Sequence, residues 1–393
     1  MQIEPAYYCR TQSCIQKLHK QKGLPCSPSW LTIIRMELAG VAQKAIEEAL
    51  KDMGQINILI AGRTGVGKST LINAVFQGKF AETGQGRPVT NTTREITKKG
   101  VPLAIWDTRG LEMAAYKETI AELERLIKTR SLETDPQRHI HAAWLCIHED
   151  GRRVEDAEIE LHEALARHMP VIGVITKARA DAGFKAQVQQ LLPETKNVIR
   201  VRAMAEELDE GQVLLPMGLA ELVEATVEVI PESFRRAFVA AQIASVQQKK
   251  SEARKIVLTA ATAAAAAGAA PIPFADAAVL VPLQVGMLAK ISSVFGLGLS
   301  AAFLSTLVAS SAGATGATIV GRAVASNLLK LIPGAGTLLG GAISAATAGA
   351  ITTTLGELYI ATLVSIFTDK SGQAPGTEDV VREFKKRLKN NSK

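Results

Sequence analysis

A parallel α/β sheet with helices on both faces, followed by an all-α domain rich in alanine and glycine, is the architecture this sequence predicts. Short β-branched apolar runs alternate with charged amphipathic segments from residue 55 to about residue 230, the rhythm of strands joined by crossover helices. A glycine-rich turn, Gly62 to Thr70, joins the first of these runs to a helix-compatible segment. Past Pro231 the charges thin out, and alanine, glycine, threonine and serine take over. With 393 residues the chain has room for two or three domains. Its hydrophobic fraction is 47% and its aromatic fraction only 4%, so its cores must be aliphatic. The net charge of +7 is diffuse; it favours an anionic partner such as a nucleotide or a membrane surface and gives no indication of nucleic acid.

Residues 1–32 read as a loosely ordered leader, polar and without the long apolar core of a secretory signal. Cys9, Cys14 and Cys26 lack a paired Cys-x-x-Cys spacing, and Cys146 falls inside a core strand; this usage fits a reducing compartment better than a disulfide framework or a metal cluster. Over 33–54, Ile34, Leu38, Val41, Ala45 and Leu50 recur at helical spacing, an amphipathic helix that leads into the first strand.

That strand, Ile56 to Ala61, runs into Gly62-Arg63-Thr64-Gly65-Val66-Gly67-Lys68-Ser69-Thr70, which fits G-x-x-x-x-G-K-[ST] in full. A strand, a glycine-rich turn and a helix in that order form a P-loop NTPase signature. Glycines let backbone N–H groups turn inward on phosphate oxygens, and the helix N-terminus adds partial positive charge. Arg63, Thr64, Gly65, Val66, Gly67, Lys68, Ser69 and Thr70 are therefore the candidate phosphate contacts, with Lys68 on the β- and γ-phosphates and the Ser69 hydroxyl on Mg²⁺.

Gly84 to Arg94 is a mobile loop by composition, placed where a nucleotide switch would carry a threonine onto Mg²⁺ and the γ-phosphate. Thr90 is the first candidate and Thr93 the second; taken alone, the segment is equally a surface loop rich in turn formers. Leu103 to Trp106 reads as a strand ending in Asp107-Thr108-Arg109-Gly110. Asp107 is placed to hold Mg²⁺ through water, and the Gly110 N–H to meet the γ-phosphate. Further strands follow at 141–148, 171–175 and 198–201, with helices at Met113–Arg130 and Glu155–His168 between them. The histidines lack the helical pairing with a carboxylate that a zinc site needs, and read as ordinary surface or strand-edge residues.

These residues resemble the Era-like GTPases of the translation-factor class, over about residues 55–230. In that family the motif [NT]-K-x-D selects guanine. Thr176 and Lys177 match, but Arg179 stands where the aspartate belongs and Asp181 lies two residues on. The resemblance implies GTP/GDP and Mg²⁺ as ligands. Lys177 would then lie on the base, Asp181 would serve if the loop is re-registered, and an N–H near Ala203 would meet the guanine carbonyl. Leu111 occupies the place of a water-orienting glutamine, which implies slow intrinsic hydrolysis and help from a partner or a nucleotide-dependent homodimer. Arg179 also leaves open a P-loop ATPase.

Beyond 231 a basic amphipathic helix is expected from Phe234 to Lys255. Ile256–Ala289 holds a single charge, Asp276, and Ile291–Gly321 and Leu331–Gly356 hold none; each exceeds the roughly 20 residues that span a bilayer. Gly336 to Gly340 is a small-xxx-small pattern suited to close helix contact. Uncharged length and the flanking Lys255, Lys290, Arg322 and Lys330 point to helical hairpins at a membrane, whereas breaks at Pro271, Pro273, Pro282 and Pro333 suit a soluble bundle. Around Pro271-Ile272-Pro273-Phe274-Ala275-Asp276 and the glycine-rich stretch at Pro333 the chain resembles a domain of unknown function shared with the YcjF family of membrane proteins. The overall plan looks distantly like the immunity-related GTPases. Residues 369–393 form a Lys/Arg-rich amphipathic tail suited to acidic lipid or to solvent. The expectation is a Mg²⁺-dependent GTPase at 55–230 with a hydrophobic helical domain at 231–368, on the cytoplasmic side of a membrane. A nucleotide-gated binding module with incidental turnover is the alternative.

Overall fold

A computed structural model describes residues 30–76, 86–88, 93–108, 116–209, 211–268, 275–311, 345–369 and 375–391. Helix α1 (Trp30–Lys51) enters strand β1 (Ile56–Gly62), whose seven residues are all buried. It is the central strand, parallel to β4 (Leu103–Thr108) on one side and to β5 (Ala142–His148) on the other. Strands β6 (Val171–Thr176) and β7 (Asn197–Arg200) continue the parallel ladder beyond β5. Strands β2 (Gly86–Pro88) and β3 (Thr93–Thr97) complete a seven-stranded sheet in the order β2-β3-β4-β1-β5-β6-β7. The chain therefore carries the mixed α/β, mostly parallel sheet of P-loop proteins, with a helical region after it.

The sheet is not wholly parallel. Strand β3, part of which the sequence reads as loop, runs antiparallel to β4 with Arg94 opposite Asp107 and Thr93 opposite Thr108. The cause is local. Val101 donates its N–H to the Lys98 carbonyl at 3.1 Å and Gly100 takes φ +82°, so the chain reverses in one tight turn.

Alternate residues of the strands feed two cores. On one face Ile56, Ile58, Ile60, Trp144, Cys146 and Val174 pack with α2 (Lys68–Val75), α6 (Leu219–Val229) and α7 (Glu232–Ala241). Phe76 stacks on Trp144 with ring centres 5.5 Å apart and meets Phe238 edge-on at 5.9 Å. On the other face Leu59, Trp106, Leu145 and Ile175 pack with α3 (Tyr116–Ser131), α4 (Asp156–Ala166) and α5 (Phe184–Leu191).

The single basic helix expected from Phe234 to Lys255 is two helices. α7 ends at Ala241 and α8 (Val246–Gly268) begins after four intervening residues, because that segment is held by tertiary contacts. Ile243 donates its N–H to the Val75 carbonyl at 2.8 Å, and the buried Gln242 amide bonds Ser245 through both of its ends at 2.8 Å each.

Helices α8, α9 (Ala275–Val294), α10 (Ala301–Ser311), α11 (Ala345–Asp369) and α12 (Thr377–Asn391) share one apolar cluster. Leu38, Ala42, Ala45, Ile46 and Ala49 of α1 belong to this cluster rather than to the sheet, and Lys290 pairs with Asp52 at 2.6 Å. α8 and α11 are antiparallel and close-packed. A Cβ on Gly356 would lie 2.5 Å from Val257 Cγ2, and one on Gly349 3.4 Å from the Ala261 carbonyl oxygen. Lys249 of α8 is fully buried; its ammonium donates to the carbonyls of Val239 (2.7 Å), Ala240 (3.1 Å) and Val294 (2.9 Å), with the Phe367 ring 5.3 Å away. One cation thus satisfies the C-terminal ends of α7 and α9 at once, although burial pushes its ammonium down to about 7. The tail helix α12 lays Val380 and Phe384 into the same cluster, Phe384 edge-on to Tyr359 at 5.5 Å. Among the described residues one helix, Ala346–Asp369, is long and apolar enough to cross a membrane, and 61% of its apolar window is already buried inside the protein. Pro271–Phe274, Pro333 and the Gly336–Gly340 pattern lie outside the described residues.

Candidate functional site

The candidate site sits at the carboxyl ends of β1, β4, β5 and β6, where the sheet order changes direction. Three glycines shape the loop after β1. Gly62 has φ +144°, and a Cβ there would stand 2.4 Å from the Cys146 carbonyl oxygen of the neighbouring strand. Gly65 and Gly67 also lie at positive φ, +77° and +103°, and Gly67 caps α2. The loop is tied down from β6: Thr176 Oγ1 donates to the Val66 carbonyl at 2.6 Å and lies 3.1 Å from the Ile147 carbonyl.

Lys68 is buried, with its ammonium curled over the loop onto the carbonyls of Gly62 (2.8 Å) and Arg63 (3.2 Å). Burial lowers its proton affinity, and the Asp107 carboxylate works against that shift. Asp107, near the end of β4, shows the converse: burial raises its carboxyl while the Lys68 and Arg94 charges lower it. Its Oδ1 is buried and has no hydrogen-bond partner among the described residues. An orphaned carboxylate oxygen beside a glycine-rich loop fits a hydrated divalent cation. Ser69 and Thr70 stand exposed in the first turn of α2, so a hydroxyl is free to join Asp107 there. Thr64 and Gly65 are exposed at the loop tip, while Arg63 pairs with Glu155 at 3.4 Å.

Beside the loop lies a cavity of about 250 Å³, walled by Gly67, Thr70 and Leu71 on one side, Thr176, Lys177 and Arg179 on another, and Val201 to Glu206 on the third. Lys177 stands at φ +53°, with its side-chain Cε 4.0 Å from where a Gly67 Cβ would be. Ala203 lines this cavity. Asp181 does not. Its carboxylate caps α5, accepting from the Lys185 N–H at 2.9 Å, and lies 3.5 Å from Arg200. Thr176, which matches the guanine-selecting motif, has its hydroxyl committed to the loop backbone. Thr93 is buried at the start of β3, and Thr90, Gly110 and Leu111 lie outside the described residues.

Sequence reasoning missed the hairpin that carries Glu206 in the third wall. The chain after β7 folds into a hairpin of two short strands, β8 (Glu206–Glu207) and β9 (Val213–Leu214). Buried Arg202 braces it, donating to the carbonyls of Ala178 (2.8 Å) and Leu215 (2.5 Å). The hairpin returns so close that a Cβ on Gly218 would lie 1.9 Å from the Arg200 carbonyl oxygen. Arg179, in the place of the expected aspartate, grips the Glu206 carboxylate through Nε and Nη2. The Asp-Glu-Gly-Gln run at 209–212 was the available turn signal.

Comparison with known proteins gives two domain matches. Residues 57–177 match the model of the 50S ribosome-binding GTPase family, and residues 235–390 match a domain of unknown function, DUF697. The tRNA modification GTPase MnmE of Verminephrobacter eiseniae is 36% identical over 151 residues, 36% of this chain and 28% of that protein. Human Septin-12 is 25% identical over 209 residues, 44% of this chain and 57% of that protein. Magnetosome membrane protein 22 of Magnetospirillum gryphiswaldense is 36% identical over 90 residues, 23% of this chain and 46% of that protein. The chain spans about a third of the length of the MnmE proteins it matches. A solved structure of a probable GTP-binding protein, EngB, aligns over 44% of this chain and 97% of its own at 20% identity, with a TM-score of 0.32. The chain thus joins a GTPase-type domain to a helical region of a type whose role is unknown.

Proposed function

We propose that this protein is a Mg²⁺-dependent GTPase that binds GTP, hydrolyses it slowly to GDP and phosphate, and acts as a switch at a membrane surface. The observation that carries the reading is the pair at the tip of β1 and β4: a buried ammonium, Lys68, folded over a loop whose glycines stand at positive φ, and a half-buried carboxylate, Asp107, whose Oδ1 is buried and unpartnered among the described residues. An ammonium and the amides of such a loop suit the β- and γ-phosphates. Asp107 with Ser69 would hold Mg²⁺, which would supply charge neutralisation on the transferred phosphoryl group. Thr90 and Gly110 are assigned from sequence to close over the γ-phosphate, Thr90 also as a metal ligand. The cavity walled by Lys177 and Ala203 takes the base.

The membrane half of the reading is supported by the apolar helix Ala346–Asp369, by the basic outer face of α12 with Lys385, Lys386 and Lys389, and by the partial likeness to a magnetosome membrane protein. Release of the helical region from the sheet on nucleotide exchange, or pairing of two nucleotide faces, would link the halves.

The test is calorimetric titration of GTP, GDP and ATP with Mg²⁺ present. Wild type is expected to bind the guanine nucleotides, and Lys68→Ala to lose about a hundredfold or more in triphosphate affinity, roughly 3 kcal/mol, with an unchanged circular-dichroism spectrum. Equal affinity in wild type and Lys68→Ala would remove the site assignment. Hydrolysis unaffected by anionic vesicles or by protein concentration would remove the switch at a membrane and leave a nucleotide-gated binding module.

A further inference from the structure

We propose that Glu206, held by Arg179, is the carboxylate that reads the base in this site, and that it selects guanine. The proposal rests on the nucleotide-binding reading above and assigns its base specificity to a residue on a different element from the loop after β6.

Two carboxylates line the base-sized cavity, Asp150 and Glu206. Glu206 is the positioned one. Arg179 Nε lies 3.1 Å from each of its oxygens, and Nη2 also donates to Oε1. A guanidinium fork fixes a carboxylate in plane and in rotation. Each carboxylate oxygen has two lone-pair directions, so Arg179 leaves acceptor capacity directed elsewhere. The Arg179 hydrogen bond also keeps the Glu206 carboxyl below the usual carboxylate range, and so ionised at neutral pH. Asp150 lacks such a clamp: its carboxylate is half-exposed and its ion-pair neighbour is the His148 ring at 3.8 Å.

The clamp is itself braced. The Arg179 backbone N–H donates to the buried Glu149 carboxylate, whose other oxygen accepts from Arg200 Nε at 2.7 Å. Arg202 ties the same loop, through Ala178, to Leu215, the residue just past the return strand of the Glu206 hairpin. Both partners of the pair therefore stand on anchored backbone, the arrangement that makes a polar contact selective rather than adaptive. Asp181 is committed to α5 and to Arg200, so it supplies no competing reader.

The chemistry favours guanine. Its edge offers N1–H and the N2 amino group side by side, two donors for one carboxylate. Adenine offers one amino donor beside a ring-nitrogen acceptor, which a carboxylate repels. A site built around an ionised acceptor rejects a base that cannot donate to it by well over tenfold.

The experiment compares wild type, Glu206→Gln and Asp150→Asn by titration with GDP, ADP and xanthosine diphosphate. Glu206 is partly exposed on a two-residue strand, so the swap leaves both cores intact. Glu206→Gln is expected to weaken GDP by about tenfold or more and to strengthen xanthosine diphosphate, whose C2 carbonyl accepts from the new amide. Asp150→Asn is expected to leave the preference for GDP over xanthosine diphosphate unchanged. Wild-type GDP affinity in Glu206→Gln overturns the proposal, as does an equal loss for all three bases, which marks a structural role. A transfer of the effect to Asp150→Asn also overturns it. If Glu206→Gln melts early, Arg179→Met is read instead: with the carboxylate unclamped, the ratio of GDP to ADP affinity must fall, and an unchanged ratio overturns the proposal. Failure of the parent reading is distinct, because wild type would then bind none of the three.

Discussion

The loop end of the sheet and the helical region both depend on glycine, but for different reasons. At Gly62 an added Cβ meets a backbone carbonyl at 2.4 Å, and φ is +144°. At Gly356 it meets the branches of Val257 at 2.5 and 2.9 Å and the Met287 sulfur at 3.2 Å, inside an ordinary helix. The first conflict is with peptide groups that two strands hold in register. The second is with side chains that can re-pack at some strain. Close approach of two strands has fixed backbone shape in one place; close helix contact has restricted side-chain volume in the other.

The helical region has one feature more rigid than its small residues, and the largest effect is expected there. Lys249→Met keeps the length of the side chain but leaves the carbonyls of Val239, Ala240 and Val294 without their donor. The expected loss is about 4 kcal/mol, read as a fall in the urea midpoint. Because Lys249 joins the end of α7, which packs on the sheet, to α9 in the bundle, the unfolding trace is expected to split into two steps. A single transition at the wild-type midpoint would show that the two regions are not coupled through this ammonium. Gly62→Ala comes next, at about 3 kcal/mol from positive φ and backbone overlap combined, with loss of nucleotide binding. Gly356→Ala is expected to cost less, about 1 kcal/mol net, since strain against Val257 is partly offset by the better helix propensity of alanine. Equal losses at the two glycines, measured by chemical denaturation, would end the distinction between them.

The same distinction explains what the sequence disclosed. The strand, loop and helix around Gly62 to Thr70 were legible because the glycines that turn the chain follow one another in a fixed local order. The parallel strands were legible because both of their faces are buried, which leaves unbroken β-branched runs. Strand β3 was misread since Thr93 to Thr97 follows a Gly- and Thr-rich stretch, although Lys98-Lys99-Gly100 marks the turn that pairs it with β4. The hairpin of Glu206 gave no signal, because strands of two residues have no periodicity and the Arg179 partner lies 27 positions away. Helical spacing gave α1 its apolar face but could not say that the face would join the C-terminal helices rather than the sheet. The break at Gln242 was invisible for a like reason: it is set by the Ile243 bond to Val75, remote in sequence.

Thr176→Val probes the smallest link and the most informative one. Threonine and valine fill nearly the same volume, so the buried contacts at the end of β6 persist. What goes is one O–H donor, leaving the Val66 carbonyl and the Ile147 carbonyl without it. The expected cost is about 1 kcal/mol in stability. The phosphate loop would no longer be latched to β6, and an unlatched loop must be ordered by the ligand, so nucleotide affinity should fall about fivefold, in line with the same energy. Thr176→Ser keeps the hydroxyl and should hold affinity near wild type. If Val and Ser behave alike, shape rather than the hydrogen bond fixes the loop. If Val loses affinity for GDP but not stability, Thr176 touches the nucleotide directly, as its place in the guanine motif first suggested, and the latch is secondary.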